Sequence, residues 1–200
     1  MPYGDDDIEN ELKVRKLLEE HTDWSFEFTK NDRYAVDMQL FDWGEPPVDA
    51  DARSLVGYVE IEVANEESDW DTGEFPWPRV NFLKRKIRLW DWDKNNWGDL
   101  KANARKTIYL KFNNQLDNCF AACVERVHQD HQSEWTLGHD SPPHRTQDVL
   151  QMHPEADALQ WGIHDCIGFV ETYYSELETE QHSLASFGRS GTAVTDGGDP

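Results

Sequence analysis

Three acidic residues are spaced for chemistry. Glu60 and Glu62 lie two apart inside an apolar run, 55–64 (LVGYVEIEVA), and Asp37 lies inside a second, 34–41 (YAVDMQLF). Side chains alternate along a strand, so Val59, Ile61 and Val63 face one way and Tyr58, Glu60 and Glu62 the other. A run this apolar reads as a central strand, where two carboxylates on one face need a reason. Three hard oxygen donors converging at a sheet edge suit Mg²⁺ or Mn²⁺, which prefer carboxylates and keep several waters. Such an ion polarises a phosphodiester, neutralises developing charge and lowers the pKa of an attacking water. The plainer alternatives are a one-sided sheet with Glu60 and Glu62 in solvent, and Asp37 as a turn cap.

The elements that must position these residues are legible in the patterning. Residues 8–20 (IENELKVRKLLEE) are dominated by helix formers, with Asp5 to Asp7 as caps. Ile8, Glu11, Leu12, Arg15, Leu18 and Glu19 share one helical face, which points Glu11 inward; pairing with Arg15 is the alternative. Strands are expected at 24–29 and 34–41, the latter with Val36, Met38 and Leu40 on one face and Ala35, Asp37, Gln39 and Phe41 on the other. A third strand covers 55–64. Residues 77–90 (WPRVNFLKRKIRLW) carry Val80, Leu83, Ile87 and Trp90 at helical spacing, with Pro78 near the first turn. Strands follow at 107–113 and 119–127, the last of the sheet, around a turn at 115–118. Residues 128–158, rich in His and Pro, read as irregular, and 157–177 as helical. The Ser/Gly/Asp-rich stretch 181–200 is expected to be disordered.

Charge sets limits on partners. Forty acids against nineteen bases give −21 over 200 residues, which opposes nucleic-acid binding. The acids are spread along the chain rather than blocked into one tail, which favours a surface adapted to molar salt over an acidic protein that binds a basic partner. Between Arg79 and Lys111 the balance reverses, with ten bases and three acids. That segment is where a phosphate-binding face would lie. The alternative is a basic segment neutralised by the protein's own carboxylates.

The residues resemble the PD-(D/E)XK nuclease superfamily, the restriction-endonuclease-like fold, over about residues 8–127. In that family an acid closes one strand and a second strand carries (D/E)-x-K. Asp37 matches the first acid, Glu60-Ile61-Glu62 stands in the (D/E)-x-K place, and Glu11 matches an assisting helix glutamate. Glu62 departs from the pattern, since lysine is usual there. Glutamate occurs at that place in some restriction enzymes, and the lysine can instead migrate to the next helix, where Lys86 is the best candidate. The resemblance implies metal ligation by Asp37, Glu60 and the Ile61 carbonyl. It gives Glu62 the role of general base or second-metal ligand, and Lys86 that of orienting water or stabilising charge. Arg79, Lys84, Arg85 and Arg88 would hold flanking phosphates.

Other constellations carry less. Cys119, Cys123, His128, His131, His139 and His144 include zinc-ligand types, but no Cys-x-x-Cys pair exists and a structural zinc is not expected. Three cysteines read as reduced thiols of a cytoplasmic protein. Trp70, Trp77 and Trp97 suit packing better than base stacking. Neither a phosphate-binding Gly-rich loop nor Gly-x-Ser-x-Gly is present, which disfavours nucleotide hydrolysis and serine-hydrolase chemistry. No apolar run is long enough to span a membrane, and no secretory leader is visible. The sequence therefore predicts one α/β domain over 1–180, a mixed central β-sheet flanked by helices, with an extension at 128–180. Its expected activity is that of a Mg²⁺- or Mn²⁺-dependent DNA endonuclease, with a homodimer as one possible assembly. The alternatives are a catalytically silent binding module on the same fold and an acidic protein–protein adaptor.

Overall fold

Ser54–Val63 is the longest strand among the described residues of the computed structural model, which are 5–28, 36–42, 54–64, 70, 75–87, 105–137 and 147–189. In chain order the elements are α1 (Asp5–His21), β1 (Ser25–Phe28), β2 (Met38–Asp42), β3 (Ser54–Val63), β4 (Val80–Leu83) and α2 (Lys84–Ile87). They continue with β5 (Thr107–Phe112), β6 (Cys119–Cys123), α3 (Val124–Asp130), β7 (Ser133–Leu137), β8 (Gln147–Met152), β9 (Gln160–Trp161) and α4 (Ile163–Arg189). The chain is α/β. A mixed sheet runs β1-β2-β3-β5-β6-β9, and a three-stranded antiparallel sheet runs β4-β8-β7. All pairings in the larger sheet are antiparallel except β3 with β5.

Each face of the large sheet carries its own core. On one face Met38, Leu40, Val59, Ile61, Ile108 and Leu110 pack against Val14 and Leu18 of α1 and Cys166, Val170 and Tyr174 of α4. On the other, Tyr109, Phe120 and Ala122 meet Val80 and Phe82 of β4, Leu150 and Met152 of β8, and Val124 and Val127 of α3. With both faces covered, β5 and β6 read as nearly unbroken apolar runs. Gly57 on β3 lets α4 approach closely. A Cβ there would lie 2.7 Å from the Lys106 carbonyl oxygen and 2.9 Å from Tyr174 Cδ1. The β5–β6 turn is held by buried Asn113, whose Oδ1 accepts from the Asp117 and Asn118 amides at 3.1 and 3.0 Å.

Several elements differ from expectation. Residues 80–83 form a strand, because Val80 and Phe82 bury alternately and the backbone pairs with β8; helix is confined to α2, and 88–90 lie outside the described residues. The stretch 119–127 is not one strand and not the last: β6 ends at Cys123, and Val124 and Val127, three apart, are the buried residues of α3. The irregular region 128–158 contains β7 and β8. Helix continues past 181, to Arg189, and 190–200 lie outside the described residues. On α1 the buried side chains are Val14 and Leu18, while Ile8 and Leu12 are about half exposed, so the buried stripe is rotated from the expected face. Val36 precedes β2 and packs into the core opposite to Met38 and Leu40. Among the described residues no helix is long and apolar enough to cross a membrane.

Candidate functional site

Asp37 sits at a bend immediately before β2. Met38 pairs with Val59, so the chain enters the sheet beside Glu60. Asp37 Oδ2 accepts the Ile61 amide at 2.7 Å, which fixes the carboxylate against β3. Glu60 lies on the face of β3 that carries the second core, paired across the sheet with Tyr109. Lys86 comes from α2 and reaches the same place. Its ammonium donates to Asp37 Oδ2 and to the Ile61 carbonyl, and lies 3.0 Å from Glu60 Oε2. The side chains of Asp37, Glu60 and Lys86 are only 3%, 1% and 10% exposed, so these charges meet with little water between them.

Burial decides the protonation of this group. It pushes the Glu60 carboxyl up to about 8, against the pull of Lys86, and the neighbouring Asp37 charge adds to the rise. Burial by itself would lower the Lys86 pKa, but Glu60 and Asp37 outweigh it and hold the ammonium well above its ordinary range. Two carboxyls therefore share one ammonium, and Glu60 retains a proton near neutral pH. Glu60 Oε1 is buried and has no hydrogen-bond partner, a costly condition for a carboxyl oxygen.

Glu62 lies next along the same face but is held separately. Lys111 on β5 pairs with its Oε1, and the Tyr109 hydroxyl donates to its Oε2. Burial pushes the Glu62 carboxyl up, and Lys111 with Tyr109 more than reverses this, leaving it below the usual carboxylate range. The Tyr109 hydroxyl also accepts the Leu83 amide at 3.3 Å. It thus ties Glu62 to the end of β4, one residue before α2.

Of the residues picked from the sequence, the structure brings Asp37, Glu60 and Lys86 together and places Glu62 beside them. Glu11 is half-buried on α1. Arg79 is half-buried, with a guanidinium contact to the Pro78 carbonyl at 3.4 Å. Lys84 pairs with Glu134 at 2.5 Å. The Arg85 side chain and Arg88 lie outside the described residues, as do Trp97, His139 and His144. Much of the described basic segment is engaged by the protein's own acids, since Lys84, Lys86, Arg105 and Lys111 all pair with carboxylates. Cys119, Cys123 and Cys166 are buried free thiols. Trp70 stacks on Trp161 within a cluster that includes Phe75, Trp77 and Phe120.

Tyr109 and Lys111 were not picked out as partners of Glu62. The alternation of the strand 107–113 places them on one face, but only the parallel register of β3 and β5 sets Glu60 beside Tyr109 and Glu62 beside Lys111. Among the described residues no three His, Cys, Asp or Glu side chains form a metal cluster. The oxygens around the Lys86 ammonium nevertheless suit a hard cation: the carboxyl groups of Asp37 and Glu60, the latter with its Oε1 unpartnered, and the Ile61 carbonyl. Comparison with known proteins finds no matching family model, curated protein or solved structure.

Proposed function

We propose that the chain is a metal-dependent DNA endonuclease of restriction-endonuclease-like architecture, hydrolysing phosphodiester bonds. The observation that carries this reading is the convergence of Asp37 Oδ2, Glu60 Oε2 and the Ile61 carbonyl on one buried cation position. The order α1, β1, β2, β3, then β5 and β6 with β3 parallel to β5, supports the proposed architecture. Asp37, Glu60 and the Ile61 carbonyl would hold Mg²⁺ or Mn²⁺. When bound, such an ion supplies Lewis-acid stabilisation of phosphate charge and an activated water. Glu62, kept ionised by Lys111 and Tyr109, is the base that would accept a proton from the attacking water. The Lys86 ammonium would offset charge on the phosphate, and Arg85 and Arg88 would hold flanking phosphates.

A second reading is favoured by one specific feature. Lys86 already satisfies the three oxygens, as it would in a catalytically silent binding module on the same fold. Cleavage of labelled linear, single-stranded and branched DNA decides between the two, at low and molar salt with Mg²⁺ or Mn²⁺. Wild type should cut only with metal, and Glu60→Ala should not cut. No cutting by folded wild type under any of these conditions would reject the enzyme and leave the module.

A further inference from the structure

Lys86 presents three N–H donors, and Asp37 Oδ2, Glu60 Oε2 and the Ile61 carbonyl are three acceptors. The ammonium is thereby saturated, which is consistent with Glu60 Oε1 remaining without a partner in a buried place. A divalent ion placed on the same oxygens would lie against the ammonium, and two cations cannot share one set of lone pairs in a site from which water is largely excluded. Mg²⁺ also draws oxygen ligands in to about 2.0–2.1 Å and takes six of them, which leaves no room for the Nζ atom. The lysine stem is a flexible four-carbon chain, carried on a helix of only four residues.

We propose that Lys86 is a tethered counter-cation that competes with the divalent ion for Asp37, Glu60 and the Ile61 carbonyl, so that metal entry expels the ammonium. This rests on the metal-dependent reading above and adds a gate to it. In the metal-free protein the lysine closes the cage, compensating the buried Asp37 carboxylate and lying against Glu60 and the Ile61 carbonyl. In the metal-bound protein the expelled ammonium, still tethered beside the cage, is available to an incoming phosphate. A site whose competent state is only a minor fraction of the population binds its ligand more weakly by that fraction.

Two readouts independent of cleavage test the gate, both on the full chain. The first is lysine acetylation read by mass spectrometry with EDTA or with saturating Mn²⁺, using the exposed Lys16 as internal reference. Lys86 should be protected in EDTA and label on the order of tenfold faster with Mn²⁺. The second is Mn²⁺ titration followed by electron paramagnetic resonance. Folded Lys86→Met should bind about tenfold more tightly than wild type, or better. If Lys86→Met does not fold, the labelling of wild type decides alone. Mn²⁺ bound to wild type with Lys86 still protected would overturn the gate while leaving the metal site intact. No Mn²⁺ bound by folded wild type or by folded Lys86→Met would overturn the metal-dependent reading and the gate with it.

Discussion

Replacing Glu60 by glutamine should change how stability depends on pH. The Glu60 carboxyl is buried and faces Asp37, Lys86 and Tyr109, with Glu62 beside them. Burial raises its pKa from 4.5 to about 8 in the folded chain. Below pH 4.5 the folded and unfolded chains both carry the neutral acid, and its contribution to stability is fully present. Between 4.5 and 8 the unfolded chain ionises while the folded chain resists, so that contribution is lost as pH rises. Each unit of separation is worth ~1.4 kcal/mol, so the loss across the window amounts to a few kcal/mol. Glutamine is isosteric and does not titrate. Urea unfolding of both proteins at intervals from pH 5 to 9, in EDTA and constant molar salt, isolates the effect, because the other carboxylates are common to both. Wild type should lose stability relative to Glu60→Gln as pH rises and level off above about 8. Two curves that stay parallel within the error of extrapolation would refute the assigned protonation of Glu60.

Other substitutions follow from packing and pairing. Gly57→Ala drives a methyl into Tyr174 and the Lys106 carbonyl, and should cost about 1–3 kcal/mol by chemical denaturation; a neutral result would contradict the close approach of α4 to β3. Tyr109→Phe removes the hydroxyl joining Glu62 to the Leu83 amide. It should cost roughly 1–3 kcal/mol, read as a lowered thermal midpoint, and an unchanged midpoint would mean the bridge contributes nothing. Lys84→Ala breaks a pair whose side chains are 37% and 53% exposed, so its stability should move by no more than about 1 kcal/mol. A larger loss in double-mutant cycles with Glu134→Ala would show a coupling the geometry does not suggest.

The parts of this protein that were legible from sequence are those where one periodicity has no competitor. Alternation through 55–64 could be met only by a strand, and it put Glu60 and Glu62 on one face, where β3 holds them. Lys86 was reachable because Glu62 stands where the resembling family carries lysine, which directs attention to the next basic segment. Ambiguity arose where two periods fit the same residues. Val80, Leu83 and Ile87 match a helical stripe, but Val80 and Phe82 match a strand equally well, and pairing with β8 decides. Residues 119–123 are buried on both faces and show no period, so the change to helix at Val124 was hidden. The partners of Glu62 depend on the register of β3 and β5, two strands far apart in sequence, and local patterning carries no information about that register. β7 and β8 were masked by the His, Pro and polar residues around them. The pairing of four bases of the 79–111 segment with carboxylates, buried at Lys86 and largely so at Lys111, reflects long-range neighbours in the same way.

The most direct measurement is Mn²⁺ binding to the folded full chain, wild type against Asp37→Asn, by electron paramagnetic resonance in molar salt that suppresses loose association with the acidic surface. One saturable site in wild type that is lost or strongly weakened in Asp37→Asn is the predicted result. Equal binding by both proteins, or none by either, would contradict a metal centre built on Asp37, Glu60 and the Ile61 carbonyl.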